Sequence, residues 1–308
     1  MENTVEPLVF SEDGEDYAKL CANVTVYWRG SAFERAAGIV HFYKRAMKEL
    51  GKSVKFFETG TMSGAKKLKA DTLDLVPFWF QKSKRRSDIY MLNLESGAHA
   101  NEPSDRSFFV IADEEDEQPV GAAQVNLPVE TMTADPDRFV GLVEDLVAKL
   151  DFESGHAGYA LNWDPRGDQA IQAQEKMAYV GARFQGVDLF DIDVTLVSLR
   201  KSPPGSIKCV NWLTLLGARL AERVGSPQAV KKQLGKTSTV VPLEHGLLIR
   251  AGDAPTLGDR NRKADVAAYR SVGKLLAPYR FVDHRRIFGA PTGGGMDPTG
   301  QWLARFDE

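Results

Sequence analysis

The segment Gly186-Val187-Asp188-Leu189-Phe190-Asp191-Ile192-Asp193 holds the sequence's one constellation with an enzymatic flavour. Carboxylates spaced along a strand edge can gather a hard cation such as Mg2+, which takes oxygen ligands. Asp188, Asp191 and Asp193 equally suit the solvent face of a strand whose Val187, Leu189, Phe190 and Ile192 pack inward. Other catalytic signatures are missing. The five histidines, His41, His99, His156, His245 and His284, never stand one helical turn apart, as zinc hydrolases require. No Gly-x-Gly-x-x-Gly or Walker phosphate cradle occurs, Gly293-Gly294-Gly295 precedes no predicted helix, and there is no serine nucleophile elbow. Cys21 and Cys209 lie far apart with no Cys-x-x-Cys, so they read as small core residues rather than as a disulfide, a zinc site or a nucleophile. No cofactor is expected.

The remaining chemistry is electrostatic. Asp113, Glu114, Glu115, Asp116 and Glu117 are five acids in succession, and Lys82, Lys84, Arg85 and Arg86 form a basic cluster before them. Such runs are ordinarily solvated loop tips. The balance of 39 Lys and Arg against 42 Asp and Glu, a net charge of −3, argues against direct nucleic-acid binding. The N-terminus carries Glu2, Glu6, Glu12, Asp13, Glu15 and Asp16 before its first base, Lys19, the opposite of a secretory signal. The longest uncharged, largely apolar run, Gln118 to Val129, is twelve residues, too short to span a bilayer as a helix. A cytoplasmic chain without membrane contact is expected. Its 308 residues, 43% hydrophobic and 26% charged, suffice for a large core without disulfides or metal.

The elements that position these residues follow from periodicity. Val24, Val26 and Trp28 alternate with Asn23, Thr25 and Tyr27, so Ala22 to Arg29 reads as a half-buried strand. Phe33 to Leu50 is apolar at helical spacing, with Ser31 as N-cap and Gly51 as stop. A short helix is expected near Lys66 and Lys69, then strands at Thr72 to Phe80, Asp88 to Leu94, Arg106 to Ala112 and Val120 to Val129. The five acids fall at the tip of the last hairpin, which should therefore be exposed. A helix follows from Pro136 to Leu150. The second half is read as a strand at Ala157 to Trp163, a helix from Gln169 to Met177, and strands near Gly186 to Phe190 and Val194 to Leu199. Ile207 to Trp212 should run into a helix to Val224, lined by Leu213, Leu216, Leu220 and Val224. Next come a helix from Pro227 to Leu234, a hairpin over Ser238 to Ile249 turning at Glu244-His245-Gly246, and a helix from Lys263 to Leu276. From Phe288 onward Pro and Gly obscure any period, so the tail is expected to be irregular.

Short connections between strands, with helices interspersed, indicate an α+β fold: mixed, largely antiparallel sheet flanked by helices in a compact two-lobed body. The organisation reads as an acidic segment over 1–15, a body over 16–286 divisible into lobes 16–150 and 151–286, and an irregular tail over 287–308.

Three segments together resemble a known family: Ser154-Gly155-His156-Ala157-Gly158-Tyr159-Ala160-Leu161-Asn162-Trp163-Asp164, then Ile207-Lys208-Cys209-Val210-Asn211-Trp212-Leu213-Thr214-Leu215-Leu216-Gly217, then Leu247 to Asp259 followed by Asn261-Arg262 and Tyr269-Arg270. In order and spacing, over about residues 15 to 285, they resemble the TsiV/TsiT-like immunity proteins found beside type VI secretion effectors with VRR-Nuc or related restriction-endonuclease-like toxins. The resemblance is silent after about Arg286. It implies a non-enzymatic antitoxin whose partner is the nuclease domain of a cognate effector. The quoted residues read as scaffold: Asn162, Asn211, Arg250 and Asp259 bonding backbone, Trp163 and Trp212 filling the core, and Gly158, Gly217 and Gly252 allowing close packing.

On this reading the partner-binding candidates are Asp113, Glu114, Glu115, Asp116 and Glu117, with Asp188, Asp191 and Asp193 second, since acids can compete with phosphate for a basic groove. Steric shielding of the toxin's DNA path is the other mode. Trp28, Trp79, Tyr90 and Trp302 are candidate anchors. Two alternative functions stand beside it: a metal-dependent phosphodiesterase or other hydrolase using Asp188, Asp191 and Asp193, and an adaptor or chaperone that loads the effector.

Overall fold

The computed structural model describes residues 8–12, 14–81, 89–100, 102–115, 117–163, 170–287 and 298–307. The basic cluster Lys82 to Arg86, the N-terminal acids before Leu8, Asp13, Asp164 and Asp116 lie outside the described residues.

The first half contains β1 (Val9–Glu12), β2 (Glu15–Arg29), α1 (Ala36–Leu50), β3 (Phe56–Thr59), β4 (Lys66–Lys67), α2 (Leu75–Trp79), β5 (Ile89–Glu95), β6 (Ser107–Asp113), β7 (Val120–Leu127), α3 (Glu130–Thr133) and α4 (Pro136–Val147). The second contains β8 (Ser154–Trp163), α5 (Ala170–Arg183), β9 (Asp188–Leu189), α6 (Ile192–Lys201), β10 (Leu213–Gly217), α7 (Ala218–Val224), α8 (Pro227–Leu234), β11 (Ser238–Leu243), β12 (Gly246–Ala251), α9 (Ala267–Leu276) and α10 (Pro298–Leu303). The strands form one sheet in the order β11-β12-β10-β8-β2-β7-β6-β5-β3-β4, with β1 on β2 and β9 on β8. Among the described residues every strand pairing is antiparallel except the short β8–β9 contact, and an isolated parallel bridge joins Ile207 to Arg280. This is the α+β class expected, and β2 against β8 joins the two halves over ten residue pairs.

Period-two alternation gives the sheet two unlike faces. Ala18, Leu20, Ala22, Val24, Val26 and Trp28 of β2 enter the large apolar core that includes α1 and α4. The alternate positions Asn23 and Thr25, expected on a solvent side, are fully buried instead. They join a hydrogen-bonded ladder across three strands: Thr25 Oγ1 donates to Asn23 Oδ1 (2.8 Å), Asn23 Nδ2 to Asn126 Oδ1 (2.7 Å), and Asn126 Nδ2 to Ser107 Oγ (2.9 Å). Gln124 Nε2 closes onto Thr25 Oγ1 at 2.9 Å. Buried amides are tolerable because each finds a partner. Beside the ladder on the same face, Cys21, Tyr27, Val120, Ala122 and Ala160 pack under α6 through Ile192, Leu196 and Leu199.

Several helix ends follow local chemistry. Asp135 caps α4, accepting from Arg138 N at 3.0 Å with Pro136 in the first turn, and Ser226-Pro227 starts α8 in the same manner. Gly51 ends α1 at φ 57. That helix begins at Ala36, not Phe33, because Ser31 turns back to accept from Phe33 N and to donate to Glu114.

Four expected elements differ. Lys66 and Lys67 form edge strand β4 rather than a helix, their charged side chains suiting an exposed edge. Thr72 to Phe80 is not a strand: a 3-10 turn over Ala70–Asp74 leads into α2, which buries Val76 while Leu73 and Phe78 stay exposed. Val194 to Leu199 belongs to helix α6, whose buried Ile192, Thr195, Leu196 and Leu199 recur at helical spacing. Leu213 to Gly217 is strand β10, buried along its whole length, and the helix starts only at Ala218. A short run apolar on both faces fits either period. At the C-terminus, where no period was legible, Pro298–Leu303 are helical and Trp302, Leu303 and Phe306 are buried.

Gly121 faces Trp28 across β2–β7, and a Cβ there would lie 2.3 Å from the indole Cζ2. Gly121→Ala should cost about 1–3 kcal/mol in urea unfolding. Trp28→Leu in the same chain should recover part of the loss left by G121A, so that the double variant is more stable than the two separate losses add up to.

Candidate functional site

The site is built outward from a buried ion cluster. Asp188 is fully buried on β9, where Lys208 Nζ donates to both its oxygens (3.1 and 3.2 Å) and His156 Nε2 lies 2.8 Å from Oδ2. Burial alone would raise this carboxyl; the opposing pull of His156 and then Lys208 holds it well below the usual carboxylate range. Lys208 also donates to Leu189 O (3.1 Å) and sits over the Trp302 ring. Arg305, stacked on Trp302, donates to Gln185 O (2.6 Å) and Val210 O (3.3 Å), so the C-terminal segment closes over the cluster. Burial, followed by the nearby Asp188 charge, pushes the Cys209 thiol up, which makes it a poor nucleophile.

This anchor fixes the turn into α6. Trp163 Nε1 donates to Phe190 O at 2.6 Å, and Asp191, in extended backbone, accepts from Val194 N at 3.1 Å to cap the helix. Burial raises the Asp191 carboxyl, the Val194 amide lowers it, and the neighbouring Asp193 carboxylate raises it again. Asp193 is exposed on the first turn. The three aspartates thus take three different jobs. They do not form a cation site: among the described residues, no group of three His, Cys, Asp or Glu side chains is placed to hold a metal ion.

Facing Asp191 and Asp193 across the ladder side of the sheet is a cavity of about 250 Å3. Its apolar lining includes Ile89 and Met91 of β5, Phe109 and Ile111 of β6, Trp163 of β8, and Phe190 and Ile192. Its charged lining is Glu58, Glu95, Asp191 and Asp193, and the described lining contains no Lys, Arg or His. Ser107 and Gln124 of the buried ladder also line it, with Asn93 and with Asn162, whose Nδ2 donates to Ser104 O at 2.8 Å. Ser104 Oγ in turn donates to Glu95 Oε2 at 3.0 Å, holding that wall in place.

The five-acid tip is divided by the structure. Asp113 meets Arg200 Nη2 at 2.7 Å, and Glu114 accepts from Ser31 Oγ (2.7 Å) and Ala32 N (2.6 Å), so these two staple the tip to the body. Glu115 and Glu117 are exposed, and Asp116 lies outside the described residues. Of the aromatic candidates, Trp28 and Trp302 are buried. Trp79 and Tyr90 are half-buried, 5.6 Å apart by ring centroids, and Phe33 sits 5.6 Å from Tyr90 and 5.5 Å from Phe80.

The family-like segments are occupied with their own fold. Asn211 fills the space a Cβ at Gly158 would need and accepts from Trp212 N at 2.7 Å. Arg250 reaches Asp137 at 2.6 Å, and Asp259 pairs with Arg183 at 3.0 Å. The sequence reading missed Glu58, Glu95 and the apolar lining. Odd positions of β5 and β6 carry no charge run or motif; the register Ile89↔Asp113 through Glu95↔Ser107 brings them together, and the pairing Glu58↔Asn93 adds Glu58 from β3.

Asp188→Asn should leave Lys208 buried without its counter-charge and cost about 3–5 kcal/mol in urea unfolding. The folded Asp188 carboxyl lies below its unfolded value of about 3.9. Its stabilisation is therefore complete above that pH and is lost as pH falls through the acid range. Wild-type stability should drop more steeply below about pH 4 than that of D188N; equal slopes would contradict the assignment.

A family model described as type VI immunity for VRR-NUC matches residues 38–306, extending past Arg286 to the helical C-terminal segment. Among solved structures, the type VI secretion protein PA0821 of Pseudomonas aeruginosa superposes with a TM-score of 0.79 at 19% identity, covering 96% of this chain and 84% of that one. At that identity the likeness speaks for the fold. No curated protein sequence matches the chain. With a match over most of its length, the chain belongs to the TsiV family of type VI immunity proteins.

Proposed function

We propose that this chain is an antitoxin that neutralises a type VI effector nuclease by stoichiometric contact in the cytoplasm of the producing cell, and that it turns over no substrate. The family match along residues 38–306 carries the reading. An enzyme that handles nucleic acid presents Lys and Arg to phosphate. An acidic protein surface competes for that groove, and charge steers the encounter. Two acidic places support this role and adjoin at the cross-strand pair Ile89↔Asp113: the exposed Glu115 and Glu117 of the tip, and the cavity rimmed by Glu58, Glu95, Asp191 and Asp193. Asp188 takes no part in contact, being fully buried. A stable interface needs about 1,600 Å2 of total buried area, so the acids form part of a wider footprint. The aromatic candidates Trp79 and Tyr90, with Phe80, pack against the core on the other face of β5, outside this footprint.

Co-expression with the nuclease encoded beside this gene should restore growth and yield a complex of defined stoichiometry. The purified chain with Mg2+ or Mn2+ should hydrolyse neither DNA nor nucleotides. Glu115→Lys combined with Glu117→Lys should slow association about tenfold at low salt; unchanged association and protection would remove the tip from the interface. Failure of the wild-type chain to bind the nuclease would overturn the function itself.

A further inference from the structure

The buried hydrogen-bonded ladder has two ends, and both line the same cavity, a groove facing the first turn of α6. Gln124 Nε2 donates to Thr25 Oγ1, whose single proton goes to Asn23 Oδ1, so Gln124 Oε1 is left as an acceptor. At the other end Ser107 Oγ accepts from Asn126 Nδ2 and keeps its own proton to give. Turning every amide over would exchange the two ends and still leave one donor and one acceptor. Among the described residues neither end group has a further partner, although Gln124 and Ser107 are each only 3% exposed. Asn162, 5% exposed, adds a third group: Ser104 O can only accept, which commits the Asn162 Nδ2 and leaves its Oδ1. Neither Gln124 Oε1 nor Asn162 Oδ1 is sealed inside the protein, so both open on the groove that their side chains line.

Between these polar groups the walls are apolar and partly aromatic. Phe109 stands in the cross-strand row Asn93↔Phe109↔Gln124, so a ring is flanked by an amide on either side. Phe190 and Trp163 line the groove as well, and the Trp163 N–H is already spent on Phe190 O. The volume of about 250 Å3 is below that of a drug-sized site, about 300–1,000 Å3. A small flat ring suits it. The ladder ends lie on neighbouring strands two residues apart in register, a diagonal of about 7–8 Å, which one ring bridges with a hydrogen bond at each end. Buried donors and acceptors are costly unless something pairs with them. We infer that the groove binds a neutral, flat cyclic amide of the nucleobase class, its ring against Phe109, with an N–H on Gln124 and a carbonyl on Ser107. The acids of the rim play no part in this recognition, and it stands apart from the antitoxin reading.

Calorimetry of the full free chain with uracil and hypoxanthine tests this, with N,N′-dimethyluracil, which keeps the carbonyls and has no N–H, as the control. At least one of the two bases should bind in the groove and shift the side-chain amide signals of Gln124 and Asn162 in heteronuclear NMR spectra. Dimethyluracil should bind about tenfold more weakly than uracil, because the acceptors are then left unpaired. Met91→Trp, at a half-buried position of the lining, should fill the groove without touching the ladder and weaken base binding about tenfold. Gln124→Met, which removes the acceptor and keeps the length of the side chain, should do the same. Equal affinity for uracil and dimethyluracil, unchanged affinity in M91W, or no binding of either base would overturn the inference. Loss of nuclease binding in M91W while neither base binds would assign the groove to the protein interface, and the inference would likewise fall. Since the bases are offered to the free chain, none of these failures touches the antitoxin reading, which falls only if the wild-type chain does not bind the nuclease.

Discussion

The ion cluster of Asp188 with Lys208 and His156 is the constraint on which the acid-rimmed side of the sheet rests. Taking a carboxylate and an ammonium out of water is costly, and the cost is offset only where geometry is good and further hydrogen bonds are made. Here Lys208 reaches both oxygens of Asp188 and the carbonyl of Leu189, while His156 bonds Oδ2 and the Cys209 thiol donates to Oδ1. The three residues come from three separate parts of the chain: the central strand β8, the two-residue strand β9, and the stretch before β10. Fixing them fixes the parallel β8–β9 pair, and with it the point at which α6 begins.

From that anchor the α6 wall of the cavity follows by covalent geometry. Leu189 and Phe190 carry the chain from the cluster to Asp191; Asp191 is consumed in capping α6; Asp193, two residues on, is delivered to the groove. The C-terminal segment reinforces the arrangement, since Arg305 and Trp302 close the cluster from above and Arg280 pairs with Asp307.

Legibility in the sequence depended on how local the cause was. Strands β2, β5, β6 and β7, the hairpin β11–β12 and helices α4 and α8 were readable because alternation, helical spacing, Ser226-Pro227 and the Glu244-His245-Gly246 turn are signals carried by neighbours in the chain. Segments that are apolar on every side, such as Leu213 to Gly217, gave no period to choose by. The polar face of β2 was legible as polar but not as buried, because Asn23 finds Asn126 on a strand 103 residues away. The same holds for the site. The three aspartates were legible as acids, but that Asp191 caps α6, Asp193 is exposed and Asp188 is a buried anchor was not, because the partners of Asp188 stand 32 and 20 residues off. The acidic run was visible as charge, yet only the fold separates its stapling members, Asp113 and Glu114, from the exposed Glu115 and Glu117.

The central claim is that the acid-rimmed side of the sheet is the face the effector nuclease covers. Amide hydrogen exchange of the chain with and without the inactive nuclease tests it most directly. Added protection should concentrate on β5, the β6–β7 tip and the first turn of α6, with β11 and β12 unchanged. Protection confined to β11, β12 and α8, with the groove strands exchanging as in the free chain, would contradict the account.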